Sequence, residues 1–374
     1  MRWLMRKLGF GLMRLPMKDG EIDLEQFKEM ADLYLSEGFT YFDTAYMYHD
    51  GKSETAFRDA VVKRHPRDSF TLTDKLPMMF VKEKDDLERF FNEQLERTQA
   101  GYFDYYWLHN LNSNTYPVVL KTDAFDFILR KQSEGLIKHI GFSFHDSAEL
   151  LEKILTEHPE AEFVQLQINY VDWDDAGVQS GKCYEVAQAH GKKVIVMEPI
   201  KGGSLASLPP EAETLLKTRN PSASIASWAV RFAASPEGVL TVLSGMSNID
   251  QMRDNISYMK DFKPLTDEEK KTLESVVEIY KASVAIPCTA CRYCVEGCPM
   301  SIPIPNYFAL YNKWDLWRKE GAKGFNNQGM YYEHFVVSGA GRASDCIGCG
   351  QCDAACPQHI HVSELMPKVS EAFD

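Results

Sequence analysis

The sequence predicts an α/β protein: a (β/α)8 barrel followed by a small, mainly α-helical domain. Two observations lead to this prediction. Over roughly the first 280 residues, short β-type runs alternate with amphipathic helical stretches, and eight of the nine cysteines lie after residue 287. The boundaries we predict are 1–280 for the barrel and 281–374 for the second domain. A chain of 374 residues exceeds one average domain without requiring three.

Eight runs have the length and residue types of β-strands. They are Leu8–Leu12, Thr40–Thr44, Phe70–Lys75, Tyr105–His109, Ile137–Ser143, Phe163–Ile168, Lys193–Met197 and Gly238–Ser244. The stretches between them carry apolar residues at three- and four-residue spacing. They include Asp23–Glu37, Glu54–Lys63, Glu83–Gln99, Asp123–Glu134, Ser147–Glu157 and Ser222–Ala234. Strands that alternate with helices predict parallel βαβ units, and eight such units in about 280 residues match a TIM barrel.

A doubly wound sheet is the alternative architecture. Its nucleotide-binding fingerprint is missing, because Gly9-Phe10-Gly11 is not followed by the glycine that opens a helix. The eightfold count of units therefore favours the barrel.

The composition is that of an ordinary globular protein with an acidic surface. Hydrophobic residues make up 44% of the chain, enough to bury a sizeable core. The net charge of −13 argues against a nucleic-acid partner, because phosphate binding needs a basic face. No apolar run reaches the roughly 18 residues of a membrane span, and no such run follows the charged N-terminus Met1–Lys7. We therefore expect no membrane anchor, no secretory signal and a cytoplasmic location.

The clustered cysteines form two copies of one motif. Cys288-x2-Cys291-x2-Cys294-x3-Cys298-Pro299 recurs, 58 residues later, as Cys346-x2-Cys349-x2-Cys352-x3-Cys356-Pro357. Three cysteines at two-residue gaps wrap around one corner of a cubane cluster, and the fourth, before a proline, binds the other cluster. The spacing therefore predicts two [4Fe–4S] clusters with exchanged fourth ligands. One is assigned to Cys288, Cys291, Cys294 and Cys356, and the other to Cys346, Cys349, Cys352 and Cys298.

Structural zinc is the competing interpretation of these cysteines, since C-x2-C pairs also bind zinc. Zinc sites require neither a third cysteine two residues on nor a Cys-Pro ending, and here both features occur twice. The motifs resemble those of two-cluster bacterial ferredoxins. The 47 residues between Cys298 and Cys346, with helix-like Ile304–Lys319 and Val362–Phe373 after the two motifs, are similar to the α-helical ferredoxin type.

Other side chains of interest have simpler interpretations. The aromatic residues between the motifs are predicted to cover the clusters, to form the core of the small domain, or to do both. They are Tyr307, Phe308, Tyr311, Trp314, Trp317, Phe325, Tyr331, Tyr332 and Phe335. His359 and His361 are interpreted as surface residues, because all eight cluster positions are already filled. Cys183, isolated in the barrel, is predicted to be a small packed residue.

Four polar residues fall at or just beyond the predicted carboxyl ends of neighbouring strands, where barrel active sites are built. They are Asp43, Tyr48, Lys75 and His109. A lysine at a buried strand end is informative, because its ammonium group must find a partner. The segment Leu111–Tyr116, which follows His109, is predicted to form a polar, flexible rim.

With these residues in place, the first 280 residues resemble the aldo–keto reductase superfamily. The similarity extends over Gly9-Phe10-Gly11-Leu12-Met13, Asp43 to Tyr48, Lys75, His109, Gly141-Phe142-Ser143, Val164-Gln165 and Ser244–Asn255. The resemblance implies that Asp43, Tyr48, Lys75 and His109 are the catalytic tetrad. An Asp followed five positions later by Tyr, with Lys and His at the next two strand ends, is specific as a combination.

These residue types suit the reduction of a carbonyl by hydride, which creates an alkoxide that must be protonated as it forms. Tyr48 is predicted to be the general acid, its pKa lowered from about 10 by the ammonium group of Lys75. Asp43 is predicted to keep Lys75 charged and oriented. His109 is predicted to donate a hydrogen bond to the carbonyl oxygen.

The resemblance also implies that a nicotinamide dinucleotide binds in an extended conformation. The implied contacts are Gly11, Ser143, Gln165, Met197, Pro199, Gly245, Ser247, Gln251 and Asn255. Ser143 and Gln165 are expected to hold the carboxamide and Met197 to stack on the nicotinamide ring. The loop after the last strand and the helix that follows it are expected to bind the adenosine end.

Two departures from the family pattern affect the choice of cofactor. Phe144 stands where many relatives have an asparagine, so one carboxamide contact is in doubt. Gly245 and Gln251 stand where NADP-preferring members usually offer basic groups, and Arg253 is the nearest guanidinium. The cofactor is therefore predicted to be NADP(H) or NAD(H), with family habit favouring NADPH.

The predicted function is an NAD(P)H-dependent oxidoreductase that interconverts a carbonyl and an alcohol. A hydride carries two electrons and a [4Fe–4S] cluster one, and a flavin usually bridges such steps. Three interpretations stay open: clusters that exchange electrons with a ferredoxin-like or flavoprotein partner, structural or redox-sensing clusters beside an ordinary reductase, and a nicotinamide-binding sensor with little turnover. The intact tetrad favours an enzyme. Eight cysteines favour a redox role, because hydrophobic packing could replace them if only structure were needed.

Overall fold

Eight parallel strands close into a barrel in the computed structural model, which describes residues 6–319 and 328–374. The strands of the described chain are β1 (Leu8–Gly11), β2 (Met17–Lys18), β3 (Glu21–Ile22), β4 (Tyr41–Asp43), β5 (Thr71–Leu76), β6 (Phe103–Leu111), β7 (Ile137–Phe144), β8 (Phe163–Gln167), β9 (Lys193–Met197) and β10 (Val239–Ser244). β2 and β3 form a short antiparallel hairpin. The other eight are hydrogen-bonded in the order β1-β10-β9-β8-β7-β6-β5-β4 and back to β1.

The barrel interior is filled by large side chains. β6 is buried along its whole length, as parallel strands are when helices cover the outer face. Tyr41, Trp107 and Phe163 pack together in one buried cluster inside the barrel. Gly141 makes room for the indole, because a Cβ at this position would lie 2.3 Å from Cζ3 of Trp107. Only a glycine fits beside this tryptophan.

Nine α-helices of the barrel sequence lie between strands of the described chain, and two follow the last strand. They are α1 (Leu24–Ser36), α2 (Ser53–Phe57), α3 (Lys84–Thr98), α4 (Tyr116–Thr122), α5 (Ala124–Ser133), α6 (Ala148–Glu157), α7 (Ser180–Ala189), α8 (Pro210–Arg219), α9 (Ile225–Ala234), α10 (Ile249–Met259) and α11 (Asp267–Ser283). α2 continues into one π-helical turn at Arg58–Val62. α1 begins after Asp23, whose carboxylate accepts a hydrogen bond from the backbone N–H of Gln26 at 3.1 Å. This N-cap satisfies a backbone donor that the helix itself leaves unpaired.

The predicted barrel is confirmed, and each of the eight predicted runs overlaps one of its strands. Of the eleven helices from α1 to α11, four had no predicted counterpart: α4, α7, α8 and α11. In α8 only Ala212 and Leu216 are buried, so its sequence shows no broad apolar stripe of the kind that marks an amphipathic helix.

The described chain divides into two compact units. One comprises the residues up to Pro199 together with Ala226–Thr266; the other comprises Ile200–Ile225 and Asp267–Asp374. In the second unit α8 packs against α11. The segment that follows β9 therefore groups with the cysteine region, although in sequence it lies within the barrel.

The cysteine region is mainly helical, as predicted. Its helices are α12 (Ile304–Lys319), α13 (Gln328–Val337), α14 (Gln351–Ala355) and α15 (Val362–Phe373). α12 and α15 coincide with the two helical stretches expected after the motifs. Within residues 6–319 and 328–374, no helix is both long and apolar enough to cross a membrane.

Candidate active site and cysteine cavities

Three of the four predicted catalytic residues lie on adjacent strands, at the end of the barrel where the carboxyl ends of its strands meet. Asp43 ends β4, Lys75 is near the end of β5, and His109 is near the end of β6. Tyr48 lies in the loop after β4, where His49–Gly51 has a left-handed backbone throughout. The strand order therefore brings together residues that are up to 66 positions apart in the chain.

The ammonium group of Lys75 is the centre of this constellation. Its Nζ donates to Oδ1 of Asp43 at 2.6 Å and to the backbone carbonyl of Thr44 at 2.6 Å. It also lies 3.4 Å from the hydroxyl oxygen of Tyr48. The Lys75 side chain is only 1% exposed. A buried ammonium group needs such partners, because an unpaired charge in the interior is strongly unfavourable.

The imidazole of His109 lies beside Tyr48 and is held neutral. The two ring centroids are 6.2 Å apart, with the rings nearly perpendicular. Burial, and then the positive charge of Lys75, lower the pKa of His109 well below its ordinary value. At neutral pH the ring therefore carries a single N–H, and it can donate one hydrogen bond without adding a charge to the site.

The hydroxyl of Tyr48 has an acidity opposite to the sequence-based expectation. Burial, and then the negative charge of Asp43, raise the pKa of Tyr48 well above its ordinary value. The ammonium group of Lys75 does not reverse this, because Asp43 at 2.6 Å neutralises much of its field. The resting phenol is therefore fully protonated at neutral pH, which is the state that a general acid needs.

A buried carboxyl pair that the sequence did not reveal lies behind Lys75. Asp74 and Glu54 are both fully buried, and the side-chain amide of Gln94 from α3 donates to each, at 2.7 Å and 3.0 Å. Burial, and next the charge of Glu54, raise the pKa of Asp74 well above its ordinary value. Oδ1 of Asp74 also accepts the backbone N–H of Lys75 at 2.8 Å, so this network fixes the backbone that carries the lysine.

Replacing Asp74 by the isosteric asparagine is expected to remove a pH-dependent loss of stability. A carboxyl with a raised pKa keeps its proton in the folded chain above about pH 4, where the unfolded chain has released it. The free energy of unfolding of the native protein therefore falls with rising pH from about pH 4 until Asp74 ionises in the folded state, by up to about 1.4 kcal/mol per pH unit. Asp74→Asn should flatten this slope, as measured by urea unfolding between pH 5 and 9. Equal slopes in the two proteins would contradict the buried protonated carboxyl.

The residues expected to bind the nicotinamide half of the cofactor lie toward the same end of the barrel. Ser143 and Gln165 are buried near the ends of β7 and β8, and Met197 ends β9. The hydroxyl of Ser143 accepts the backbone N–H of Asn110 at 2.7 Å. Phe144, in place of the family asparagine, is buried. Pro199, two residues after Met197, belongs to the same unit of the chain.

The residues expected to bind the adenosine end form a loop and a helix start after β10. Gly11 ends β1, which pairs with β10. Gly245 and Ser247 follow β10 directly, and the backbone N–H of Ser247 donates to Oε1 of Gln251 at 2.7 Å. Asn255 is buried, and its Nδ2 donates to the hydroxyl of Ser244 at 2.7 Å. Asn255 is therefore hydrogen-bonded to the residue at which this loop begins.

Arg14 is a candidate cofactor contact that the sequence analysis missed. Its side chain packs over Gly245, since a Cβ on that glycine would lie 3.2 Å from Cδ of Arg14. Arg253, the guanidinium expected there, is 59% exposed and lies 3.6 Å from Glu29 and 3.5 Å from Asp250. The sequence could have indicated this contact, because Arg14 lies only three residues after Gly11, close to the carboxyl end of the first strand.

The rim after His109 is a hydrogen-bonded turn. The backbone N–H of Asn112 donates to the hydroxyl of Thr115 at 3.0 Å, and that hydroxyl donates to the carbonyl of Asn110 at 2.7 Å. The turn leads directly into α4 at Tyr116. The rim is polar, as predicted, and its polar side chains form hydrogen bonds within the turn. Its flexibility stays a prediction.

The eight clustered cysteines line two cavities. Cys288, Cys291, Cys294 and Cys356 line one of them. Cys298, Cys346, Cys349 and Cys352 line the other. Each cavity thus takes three cysteines from one motif and the last cysteine of the other, which is the grouping that the sequence predicts.

The backbone of the second motif repeats that of the first. Ala290 and Gly348, each just before the second cysteine of its motif, have φ angles of 53° and 66°. Arg292 and Gly350, just after that cysteine, have φ angles of 70° and 72°. Left-handed residues turn successive backbone N–H groups toward one side, and such concave arrangements bind anions and iron–sulfur clusters.

The two cavities fit [4Fe–4S] clusters better than single zinc ions. Zinc bonds sulfur at about 2.3 Å, which requires four thiolates to converge on one point, whereas within residues 6–319 and 328–374 no three of these cysteines converge closely enough to hold a single metal ion. The backbone N–H of Ala290 already donates to Sγ of Cys288 at 3.4 Å. Burial raises the pKa of the Cys352 thiol to about 12, and a bound cluster would reverse this, because metal ligands are deprotonated.

The first 280 residues also match a known sequence family. The model of the aldo/keto reductase family matches residues 7–278. The chain belongs to the aldo/keto reductase family. In this aldo/keto reductase, residues 287–360 match a second family, the 4Fe-4S dicluster domain. Both resemblances found in the sequence are therefore confirmed.

This aldo/keto reductase is similar to a curated relative in sequence and to solved structures in fold. An uncharacterised oxidoreductase of Bacillus subtilis is 23% identical over 280 residues, which cover 66% of this chain and 86% of the relative. The holo form of an aldo-keto reductase from Bacillus halodurans superimposes with a TM-score of 0.57 at 24% identity, over 72% of this chain and 91% of its own. An aldo/keto reductase from Klebsiella pneumoniae, in complex with NADP and acetate, gives a TM-score of 0.57 at 21% identity, over 74% of this chain and 92% of its own. At these identities the likeness shows the fold.

The remaining side chains of interest in the aldo/keto reductase are structural. Tyr307 and Tyr332 are buried in the core of the second unit, and Phe308 lines the first cavity, so the aromatic residues serve both expected purposes. Phe325 and the side chain of Trp317 lie outside the described residues. His359 and His361 are exposed. Cys183 is buried, and burial raises the pKa of its thiol to about 12, which suits a packed, unreactive residue.

Proposed function

We propose that this aldo/keto reductase uses NAD(P)H to reduce an aldehyde or ketone to an alcohol, or catalyses the reverse, and that two [4Fe–4S] clusters exchange electrons with a partner. One observation supports the barrel chemistry above all: Nζ of Lys75 lies within hydrogen-bond distance of Asp43 and of the Tyr48 hydroxyl. Proteins place a buried ammonium beside a phenol rarely without a chemical purpose, because both groups lose hydration there.

Tyr48 and His109 act on the oxygen of the substrate carbonyl. As hydride reaches the carbon, negative charge develops on that oxygen. The neutral ring of His109 donates a hydrogen bond to it and sets its orientation. Tyr48 donates the proton that completes the alcohol, and in the reverse direction its phenolate accepts the proton from the alcohol.

Lys75 and Asp43 make that proton transfer feasible. While Tyr48 is a neutral phenol, the Lys75 charge is balanced by Asp43. Once the proton has left, the phenolate oxygen lies 3.4 Å from the same ammonium group and is stabilised by it. Lys75 therefore stabilises Tyr48 most after the proton has left. Because this interaction is stronger in the transition state than in the resting enzyme, it lowers the barrier to proton transfer.

The cofactor assignment rests on position and resemblance. Bound nicotinamide would supply the hydride, and bound clusters would supply or accept single electrons. Ser143 and Gln165 are proposed to orient the carboxamide, and Met197 and Pro199 to border the ring. Gly11, Gly245, Ser247 and Gln251 are proposed to border the adenosine half, with Asn255 supporting their loop. NADPH is the favoured form, as in the Klebsiella pneumoniae structure with NADP.

An anaerobic screen tests the proposed reaction. Aldehydes and ketones of varied size would be mixed with NADPH or NADH, and cofactor oxidation followed by absorbance. Turnover of at least one carbonyl, absent without the protein, is the expected result. If no carbonyl is turned over although the cofactor binds, the alternative of a nicotinamide-binding sensor replaces the enzyme. Reduction of the clusters by NAD(P)H with substrate, seen by EPR, tests the electron exchange.

Arg14 is expected to contribute to cofactor affinity. Arg14→Gln should raise the Kd of NADPH about tenfold, the equivalent of about 1.4 kcal/mol, because a charge-assisted hydrogen bond to phosphate is lost. Titration of protein fluorescence with NADPH and with NADH measures this. Arg253→Gln is the matched control and should change either Kd little, because this exposed guanidinium lies near Glu29 and Asp250. Equal losses in both variants would refute the role of Arg14.

A further inference from the structure

A strained loop follows β9 and belongs to the same unit as the cysteine region. Lys201, Gly202 and Gly203 all have left-handed φ angles, of 45°, 66° and 103°. Two of the three are glycines, for which this conformation is easy, but a lysine there is strained. Strain of this kind persists only where the surroundings impose it, and it often marks a functional position.

The loop is packed backbone to backbone against the first cysteine motif. A Cβ on Gly202 would lie only 2.2 Å from the carbonyl oxygen of Thr289, the residue after Cys288. The hydroxyl of Tyr280 on α11 donates to the hydroxyl of Ser204 at 3.0 Å. The position of Lys201 is therefore fixed relative to the loop that carries Cys288.

The side chain of Lys201 is buried and directed toward the first cavity. The residue is 3% exposed, and its Nζ donates to Oε1 of Gln358 at 3.1 Å. Gln358 follows Cys356 by two residues, is itself buried and lines the cavity of the four cysteines. The ammonium group of Lys201 therefore lies one hydrogen bond away from the wall of this cavity.

The charged group next to the second cavity is an anion. Ser363, which lines this cavity, donates its backbone N–H to Oδ1 of Asp353 at 2.9 Å, and none of the lining residues within the described chain is charged. In the first cavity the only charged lining residue is Arg292, and it is exposed, so water and salt screen its field. The two cavities, alike in their cysteines and backbone, thus differ in a buried positive charge.

We propose that Lys201 raises the reduction potential of the cluster held by Cys288, Cys291, Cys294 and Cys356, so that this cluster accepts an electron before the other. Reduction adds one electron to the cluster, with no bond made or broken, and the extra negative charge is stabilised by a buried cation nearby. The inference rests on the proposed cluster assignment. According to this inference Lys201, four positions after Met197, decides which of the two clusters is reduced first.

The test is an anaerobic redox titration of the full chain, with dithionite as the reductant and EPR as the readout. Lys201→Met should shift the midpoint of one cluster downward and leave the other unchanged. We expect the ratio of reduced to oxidised cluster at a fixed potential to fall about tenfold, which is about 59 mV for a one-electron couple. Lys201→Gln, which can keep a hydrogen bond to Gln358, should give the same shift, and Arg292→Gln a much smaller one.

Three outcomes would overturn the inference. Unchanged midpoints in both Lys201 variants, at native iron content, would refute the role of the charge. An equal shift in Arg292→Gln would show that burial of the cation is irrelevant. A native protein that holds fewer than two clusters by iron assay would overturn the cluster assignment itself, and with it this inference. Binding of NADPH, followed separately, shows whether each variant retains its barrel.

Discussion

Tyr48→Phe is expected to lower the kcat for carbonyl reduction by about 10²- to 10⁴-fold, the usual contribution of a positioned general acid. The ring, its packing beside His109 and the Lys75–Asp43 pair remain, so only the proton donor is lost. The Kd of NADPH should stay within about twofold, because the hydroxyl contributes to the chemical step and not to cofactor affinity. Steady-state kinetics with the best substrate of the screen, together with a fluorescence titration, measures both quantities.

Tyr46→Phe is the matched control for this experiment. Tyr46 lies in the same loop, but its hydroxyl donates to Glu93 at 2.8 Å, away from Lys75. Loss of the Tyr46 hydroxyl should leave kcat nearly unchanged. Full turnover by Tyr48→Phe would show that another group donates the proton, and the assignment of the tetrad would then be wrong. A fall in kcat of equal size in both variants would indicate that the loop, and not the hydroxyl, is responsible.

Cys356→Ala is expected to remove the cluster of the first motif, although the residue belongs to the second. The reason is geometric, because Cys356 lines the cavity of Cys288, Cys291 and Cys294. Iron should fall from about eight to about four atoms per chain, since each [4Fe–4S] cluster needs its cysteine ligands. Cys291→Ala and Cys349→Ala serve as references, because each should remove the EPR signal of its own motif's cluster. Cys356→Ala should lose the same signal as Cys291→Ala and keep the signal that Cys349→Ala loses.

Cys298→Ala should give the reciprocal result. It lines the cavity of the second motif and should abolish the signal that Cys349→Ala abolishes. Cys183→Ala is the control, because this cysteine is buried in the barrel unit, outside both cavities, and should leave the iron content at about eight per chain. If Cys356→Ala instead removed the signal of its own motif, the exchanged fourth ligands would be refuted.

Much of the fold follows from local patterns. Short runs of β-type residues between amphipathic helical stretches predicted the eight strands within a few residues, because a parallel strand that is largely buried reads as an apolar run. One helix that escaped prediction, α8, buries only two residues, so its apolar face is too narrow to show a periodicity. The cysteine grouping was also predictable, because the spacing of the cysteines is local and each Cys-Pro ending directs the chain away from the other three cysteines of its motif.

The sequence by itself determined the barrel, the four polar residues at and after its strand ends and the eight cysteines, since each is marked by residue type, spacing or strand position. Only the tertiary structure decided how these groups are tuned. Gln94 reaches Asp74 and Glu54 from a different helix, Arg14 crosses to Gly245, and Lys201 meets Gln358 across 157 positions. The pKa of Tyr48 likewise depends on which carboxylates burial brings near it. Such effects leave no local signature, because they arise from the distance and dielectric between side chains that are far apart in the chain.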